Sequence, residues 1–337
     1  MHRVKLGLIG LGYIGKIHLI NCLKLQNAQL VAVADVSKKA LNDAKKLGVA
    51  ETYTDYHELL NNKDIEAVII ALPTHLHVEC AKAAAEKHKH ILLEKPLARN
   101  TNEGEEILFA ARRYNVKLMI GHSARHNDVY KNLKKKIETG ELGEIQIAYA
   151  INIGSGPFMH RAEAGSPKPV PDWWWKRDLT GGGALIDLGS HMINLTRWYF
   201  GEVIDAKGYL GYRYNLEQED HAICVLKFGN GQVAIINVGW FSQKSNIKIE
   251  VYGTAGHASA SSNPPNKIIT ALQLMLRRTP IFYVPYLNEI QHFVDSIEKD
   301  FQPQPSGEDG LRDLEVIEKA YKNAIKLNEA SRGKLEA

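Results

Sequence analysis

The first third of the chain alternates short apolar runs with amphipathic stretches. The apolar runs are nearly continuous in Val, Ile, Leu and Ala, a composition typical of strands buried on both faces of a parallel sheet. They predict strands at 4–10, 29–35, 67–73, 90–96 and 117–122. The stretches between them have helical spacing and predict helices at 14–25, 38–47, 76–86 and 102–114. Regular alternation of strand and helix indicates βαβ units, so residues 1–122 are predicted to form a Rossmann-type, doubly wound parallel sheet of the α/β class.

The pattern changes after residue 122. Apolar and polar positions now alternate, which predicts half-exposed strands at 144–154 and 246–254 and a hairpin at 221–240 that turns at Asn230-Gly231. Helical spacing predicts helices near 127–139, 184–199, 288–300 and 309–327, and a loop rich in Pro, Gly and Trp occupies 154–183. Residues 123–337 are therefore predicted to form a second, α+β domain with a large, mostly antiparallel sheet.

Charge and cysteine usage narrow the function classes. The 337 residues carry 42 basic and 38 acidic side chains without a long Lys/Arg block, so nucleic-acid binding is not expected. The three cysteines lie far apart and lack metal-ligand spacing, as expected of free thiols in a reducing compartment. No apolar run approaches the roughly 20 residues of a membrane span, and the first residues lack a signal-peptide pattern. We therefore expect a cytoplasmic protein with a small-molecule substrate and no membrane partner.

The segment GLIGLGYIG contains Gly10, Gly12 and Gly15 in G-x-G-x-x-G spacing. It follows a predicted strand and opens a predicted helix, where these glycines permit a tight turn, a close approach of pyrophosphate and close packing of helix on strand. Asp35 ends the second strand 20 residues after Gly15, where a carboxylate can accept hydrogen bonds from the adenosine ribose. Its charge opposes a 2′-phosphate, so NAD is predicted over NADP, although two lysines follow closely and leave NADP open.

Ligands of open α/β sheets bind outside the carboxyl ends of the strands. Residues at those ends, and at the start of the first helix, are therefore the further cofactor candidates. They are Tyr13, Ile14, Leu72, Pro73, Thr74, His77, Glu94 and Lys95.

Two features of the sequence suit catalysis. Lys95 ends the apolar run of the fourth predicted strand in ILLEKPL, and Pro96 restricts the turn that follows. Asp187 and His191 lie four residues apart on a predicted helix, so they share one face, and the carboxylate can orient the imidazole as a general base. The same pair could hold a metal, but no third ligand is near in the sequence and no metal is predicted.

The order of these motifs carries a family resemblance. G-x-G-x-x-G, an acid after the second strand, EKP and then GGGALIDLGSH together resemble the glucose-fructose oxidoreductase / inositol dehydrogenase (Gfo/Idh/MocA) family over most of the chain. The resemblance implies catalytic roles for Lys95, Asp187 and His191, and a sugar, inositol or nucleotide-sugar substrate. It also implies that the second domain has an open-faced sheet that makes the contacts of a homodimer or homotetramer.

The implied reaction transfers a hydride between the nicotinamide C4 and a hydroxyl-bearing substrate carbon. His191 would take the hydroxyl proton, Asp187 would hold and stabilise the imidazolium, and Lys95 would hydrogen-bond the reacting oxygen, with a proton relay through Lys95 as the alternative. Two other functions stay open on the same fold. One is a non-catalytic NAD(P)-binding sensor or regulatory protein, and the other is dehalogenation or reductive chemistry on another carbonyl compound.

Four further residues are substrate candidates. Trp173 and Trp174 in PDWWWK could stack on the apolar face of a sugar ring or pack as core. Arg125 follows the fifth predicted strand and could reach the nicotinamide or substrate, or pair with Asp128. Arg161 lies in the long loop and could meet an anionic group.

Overall fold

The structure is a computed structural model that describes residues 3–161, 170–263, 273 and 280–327. The described residues divide into two compact units. The first unit contains those within 1–127 and 265–311, and the second contains those within 128–264 and 312–337. The sequence pattern had instead assigned 123–127 and 265–311 to the second domain. The functional roles of the two domains stay predictions.

The first unit contains a six-stranded parallel sheet in the order β3-β2-β1-β4-β5-β6, which confirms the predicted doubly wound fold. Its strands are β1 (Val4–Ile9), β2 (Ala28–Ala34), β3 (Glu51–Tyr53), β4 (Ala67–Ile70), β5 (His90–Glu94) and β6 (Leu118–Gly121). Its helices up to that point are α1 (Tyr13–Cys22), α2 (Lys38–Lys46), α3 (Tyr56–Asn61), α4 (His77–Glu86) and α5 (Thr101–Arg113). Only β3 and α3 were not predicted, because β3 is three residues long and has no apolar run.

A segment from late in the chain completes the core of the first unit. The helix near 288–300 is observed as Val284–Glu298 (α9 in chain order), and it buries Ile290, Phe293 and Val294 in one apolar cluster with the sheet residues Leu6 and Leu8. The chain then runs along the edge strand β6, where the N–H of Ile120 donates to the carbonyl of Pro305 (2.9 Å). The edge strand is thereby covered.

The second unit contains a seven-stranded mixed sheet in the order β12-β11-β7-β10-β9-β8-β13. Its strands are β7 (Ile145–Ile153), β8 (Val203–Gly211), β9 (His221–Phe228), β10 (Val233–Gly239), β11 (Asn246–Gly253), β12 (Gly256–Ser261) and β13 (Ile325–Lys326). Only the β7–β10 and β8–β13 pairs are parallel, so the prediction of a mostly antiparallel sheet is confirmed, as is the β9–β10 hairpin with Gly231 at φ 91°.

Further helices among the described residues are α6 (Asp128–Glu138), α7 (Arg177–Thr180), α8 (Ser190–Phe200) and α10 (Gly307–Lys322). The predicted helix at 184–199 is α8 preceded by a π-helical turn, Leu185–Gly189. Across the described ranges, no helix combines the length and the apolar character that crossing a bilayer requires.

Candidate active site

The glycine loop joins β1 to α1 as the spacing predicted. Gly10 has φ 93°, and a Cβ there would lie 2.4 Å from the carbonyl oxygen of Ala71. A Cβ on Gly15 would lie 2.0 Å from the carbonyl oxygen of Gly10, so these two glycines are required by sterics. Around Gly12 a Cβ would meet nothing within 4 Å. That open space lies at the start of α1, where helix N–H groups can bind a phosphate.

Asp35 lies beside this loop and is held by backbone donors. Its Oδ2 accepts from the N–H of Leu11 (2.6 Å) and its Oδ1 from the N–H of Ser37 (2.7 Å). Ser37 is the N-cap of α2, because its hydroxyl accepts from the N–H of Ala40. Each carboxylate oxygen keeps a lone pair for a ribose hydroxyl. Loop and carboxylate therefore fit a dinucleotide.

The second loop follows β4 and is tied to the turn after β5. His77 is 1% exposed, and its ring nitrogens lie 3.0 Å from the carbonyl oxygens of Leu72 and Pro96. Burial lowers the pKa of His77, against the opposing effect of these carbonyl groups. So little of the ring is exposed that this geometry favours a positioning role over the predicted contact with the cofactor. Among the other candidates, Tyr13 is exposed and Thr74 is buried.

Lys95 follows the last residue of β5, at the sheet edge that also presents the glycine loop and the end of β4. Its side chain is half-buried, and the Lys95–Pro96 peptide bond is cis. Its backbone N–H donates to Oε2 of Glu94 (3.2 Å). The carboxylate of Glu94 thus turns back onto the backbone of Lys95, and 7% of the residue is exposed. That burial gives Glu94 a structural role beside the predicted contact with the cofactor.

Glu94 belongs to a buried cluster that the sequence did not predict. His18 Nε2 donates to Glu94 Oε1 (2.7 Å), and one ligand-type atom from each of His18, Glu94 and Glu289 lies within 4.8 Å of the others. Glu289, on α9, is fully buried, and among the described residues neither of its carboxylate oxygens has a hydrogen-bond partner. Burial, and then the charge of Glu94, raise the pKa of Glu289 well above its usual range. We therefore expect Glu289 to stay protonated at neutral pH.

Replacing Glu289 with glutamine should flatten the dependence of Tm on pH in the interval between the pKa of this carboxyl in the unfolded chain and its raised pKa in the folded chain. The raised pKa means that the folded chain holds this proton more tightly than the unfolded chain does. In the unfolded chain the pKa of this carboxyl is about 4.3. Stability therefore falls as pH rises through that interval, and a neutral glutamine removes the fall. Thermal unfolding of the native chain and of Glu289→Gln measures the two slopes.

Glu298→Gln, an exposed acid on the same helix, is the matched control and should keep the native slope. Equal slopes in all three proteins would show that Glu289 is not protonated in the folded state. A rise in Tm on adding zinc, seen in the native chain and lost in Glu289→Gln, would instead show that Glu289 is ionised and binds a cation. Within the described residues, the His18, Glu94 and Glu289 group is the one set of three side chains spaced for a metal.

In the second unit, Asp187 lies in the π-helical turn and His191 in the first turn of α8. Both side chains are half-buried. The indole N–H of Trp240, which is 2% exposed at the end of β10, donates to Oδ2 of Asp187 (3.2 Å). Isolated π-helical turns inside helices occur frequently at functional sites. Trp240 was not predicted as a site residue because it lies 53 positions from Asp187, and no local pattern marks the contact.

The four substrate candidates lie in different surroundings. Trp173 and Trp174 form a half-buried stacked pair with ring centroids 5.1 Å apart, in the short turn Asp172–Trp175. The guanidinium of Arg125 lies 3.4 Å from Asp309, a partner that the sequence did not suggest. The side chain of Arg161 lies outside the part of the chain that the structure describes. Their contacts with substrate stay predictions.

The fold and the glycine loop together define a protein with a dinucleotide-binding unit and a second, sheet-based unit. Residues 4–122 match the oxidoreductase family with an NAD-binding Rossmann fold, and residues 130–259 match the GFO/IDH/MocA C-terminal domain. The chain belongs to the Gfo/Idh/MocA family of NAD-dependent oxidoreductases.

Individual relatives are similar over nearly the whole chain. The chain is 28% identical to myo-inositol 2-dehydrogenase of Thermotoga maritima, over 91% of this chain and 92% of the relative. It is 26% identical to scyllo-inositol 2-dehydrogenase (NAD⁺) of Bacillus subtilis, over 94% and 92%. A crystal structure of a probable dehydrogenase from Thermotoga maritima superposes with a TM-score of 0.81 at 26% identity and covers 95% of this chain and 96% of that one.

Proposed function

We propose that the chain transfers a hydride between NAD and a hydroxyl-bearing carbon of a sugar, inositol or nucleotide-sugar. The observation that carries this proposal is the position of Lys95 at the carboxyl edge of a sheet whose glycine loop and Asp35 fit a dinucleotide. An ammonium group there suits a hydroxyl whose oxygen gains negative charge as its proton leaves. A sensor that only binds NAD has no need of a cation at that edge.

Each residue of the proposed site has a distinct part in the reaction. NAD, when bound, supplies a nicotinamide that accepts the hydride. An imidazole nitrogen of His191 takes the hydroxyl proton, and Asp187 orients the ring and stabilises its protonated form. Trp240 donates to Oδ2 of Asp187 and thereby helps to fix the carboxylate. Lys95 hydrogen-bonds the reacting oxygen through Nζ.

The substrate class rests on two independent supports. Two relatives that align over nine-tenths of the chain are named for inositols. The stacked indoles of Trp173 and Trp174 offer flat apolar faces of the kind that pack against polyol rings. Both supports favour a substrate that contains a polyhydroxylated ring.

A screen for NADH formation across inositols, free aldoses and UDP-sugars tests the function. Turnover with members of one class, absent in Lys95→Met, supports the proposal. Tight NAD binding without turnover of any substrate, in either direction, would replace it with the sensor. Reduction of a carbonyl compound by NADH, with no NADH formation from any of the hydroxyl substrates, would point to reductive chemistry.

Asp35→Ala should weaken binding of NAD more than binding of NADP. The carboxylate favours the two ribose hydroxyls and opposes a 2′-phosphate, so its removal costs NAD a partner and relieves NADP of repulsion. Titration with both reduced cofactors measures the two dissociation constants. Asp64→Ala, which removes an exposed acid of the same unit, should change neither. Equal weakening of both cofactors would remove the ribose assignment.

We also propose that the outward side of the second sheet packs against another copy of the chain. Several alternate positions on β7, β9 and β10 are apolar on that side and pair across strands, with Ile235 opposite both Tyr149 and Val225. Tyr149 is 41% exposed and Ile223 37%. Ile235→Asp should therefore convert a dimer or tetramer to a monomer in light scattering. Phe109→Asp, at a 64% exposed position on α5, should not, and an unchanged mass in both would exclude this face.

A further inference from the structure

Three consecutive polar residues, Gln218–Asp220, are fully buried in the segment that joins β8 to β9. Buried polar side chains are costly unless they are hydrogen-bonded, so each of these needs an explanation. Gln218 Nε2 donates to the carbonyl oxygen of Trp174 (2.7 Å), in the turn that carries the stacked indoles. The carbonyl oxygen of Asp220 accepts from the backbone N–H of Trp240 (2.8 Å), whose indole donates to Asp187. Gln218–Asp220 thus contacts two segments that contain proposed site residues.

Glu219 makes the densest set of these contacts. Its Oε1 accepts from the N–H of Gly183 (3.1 Å) and of Leu185 (3.0 Å), and its backbone carbonyl accepts from the N–H of Ala184 (2.9 Å). These three consecutive N–H groups lead into the π-helical turn that contains Asp187. The first N–H groups of a helix lack partners within it, and an acidic side chain is favoured at that end.

Tyr321, on α10, completes the arrangement. Its hydroxyl donates to Oε1 of Glu219 (2.7 Å), and burial followed by the charge of Glu219 raises its pKa well above the ordinary value. The hydroxyl therefore keeps its proton. A Cβ on Gly183 would lie 1.9 Å from the Glu219 carbonyl oxygen, and a Cβ on Gly182 would lie 2.2 Å from the Tyr321 hydroxyl. Both glycines are required because Glu219 and Tyr321 occupy the adjacent space.

We infer that Glu219 is a positioning residue, supported by Tyr321, that sets the backbone at 183–187 and thereby aims Asp187 and His191 at the substrate. This inference rests on the proposed catalytic roles of that pair. Glu219 reaches the reaction only through them. Its contribution should therefore appear in kcat and depend on the presence of His191.

A double-mutant cycle separates this role from general structural support. Glu219→Met keeps the chain length but removes the acceptor, and it should lower kcat by about 10²-fold, the size of effect that a 1 Å misplacement produces. The affinity for NAD should stay within about threefold, because every cofactor residue named lies in the first unit. In a His191→Ala background, the same change should cost less than about threefold. Glu219→Gln keeps an acceptor oxygen and should recover most of the lost rate.

Two milder variants apply if Glu219→Met does not fold. Tyr321→Phe and Gly182→Ala disturb the same contacts and should each lower kcat about tenfold, again only when His191 is present. Tyr199→Phe removes a buried hydroxyl hydrogen bond elsewhere in the unit and is the control, with native kcat expected.

The outcomes separate this inference from the proposed function. Native kcat in the Glu219 and Tyr321 variants, or an equal loss with and without His191, would overturn the positioning role alone. Full activity in His191→Ala itself would overturn the proposed catalytic pair. A loss caused only by weaker NAD binding would also overturn the positioning role.

Discussion

Replacing Lys95 with methionine should lower kcat by about 10³-fold while NAD affinity stays within about threefold. Methionine keeps the length of the side chain but cannot donate to the reacting oxygen, and removal of one such donor typically costs 10²–10³ in kcat. Affinity is preserved because the dinucleotide contacts proposed for the glycine loop and Asp35 do not involve the ammonium group. Steady-state kinetics and a cofactor titration of the same protein measure both quantities.

Controls for Lys95 decide between its two possible roles. Lys87→Met changes an exposed lysine of the same unit and should behave as the native chain. Lys95→Arg keeps the positive charge and donors but titrates far above neutral pH, so it should retain more activity than methionine if Lys95 clamps the oxygen. An arginine variant as slow as methionine, together with rescue of Lys95→Ala by methylamine, would indicate that Lys95 relays the proton. Undiminished turnover in Lys95→Met would exclude both roles.

Replacing His191 with alanine should lower kcat by about 10²- to 10⁴-fold, the range that a positioned general base contributes. The cavity left by the imidazole should admit free imidazole, so added imidazole should restore part of the rate in proportion to its concentration. The affinity for NAD should not change with the loss of kcat or with its rescue, because His191 lies in the second unit. Kinetics with and without imidazole, and a cofactor titration, give the three measurements.

His88→Asn is the matched control for this experiment. His88 is exposed at φ 54°, a conformation that asparagine accepts, so the substitution should leave kcat unchanged. A rise in KM at constant kcat in His191→Ala would make His191 a substrate-binding residue. Loss of activity without rescue, together with a lower Tm, would make it a structural residue of α8.

The elements near the cofactor were predictable because they are defined by local sequence. Continuous Val, Ile and Leu runs indicate buried parallel strands, and a glycine with φ 93° at position 10 follows from the spacing of three glycines. The same holds for the hairpin at Asn230-Gly231, whose turn chemistry lies within four residues. The amphipathic pattern of α9 also predicted a helix. It could not show which sheet the apolar face of that helix covers.

The polar contacts between residues far apart in the sequence were not predicted. No local sequence motif marks Glu289, and its burial beside Glu94 depends on the packing of α9 against the first sheet. Trp240 and Glu219 act on the 183–187 segment from 30 or more positions away. Similarly, Arg125 pairs with Asp309, which lies 184 positions along the chain.

The amino-acid sequence by itself therefore determined the doubly wound sheet, the glycine loop with Asp35, and the position of Lys95 at the end of a strand. Each of these depends on spacing within a βαβ unit or on the regular repetition of such units along the chain. Only the tertiary structure decided how His18 holds Glu94, why Gly182 and Gly183 are glycines, and what fixes Asp187. Those answers depend on side chains that meet across tens to hundreds of residues, where no periodicity links one partner to the other.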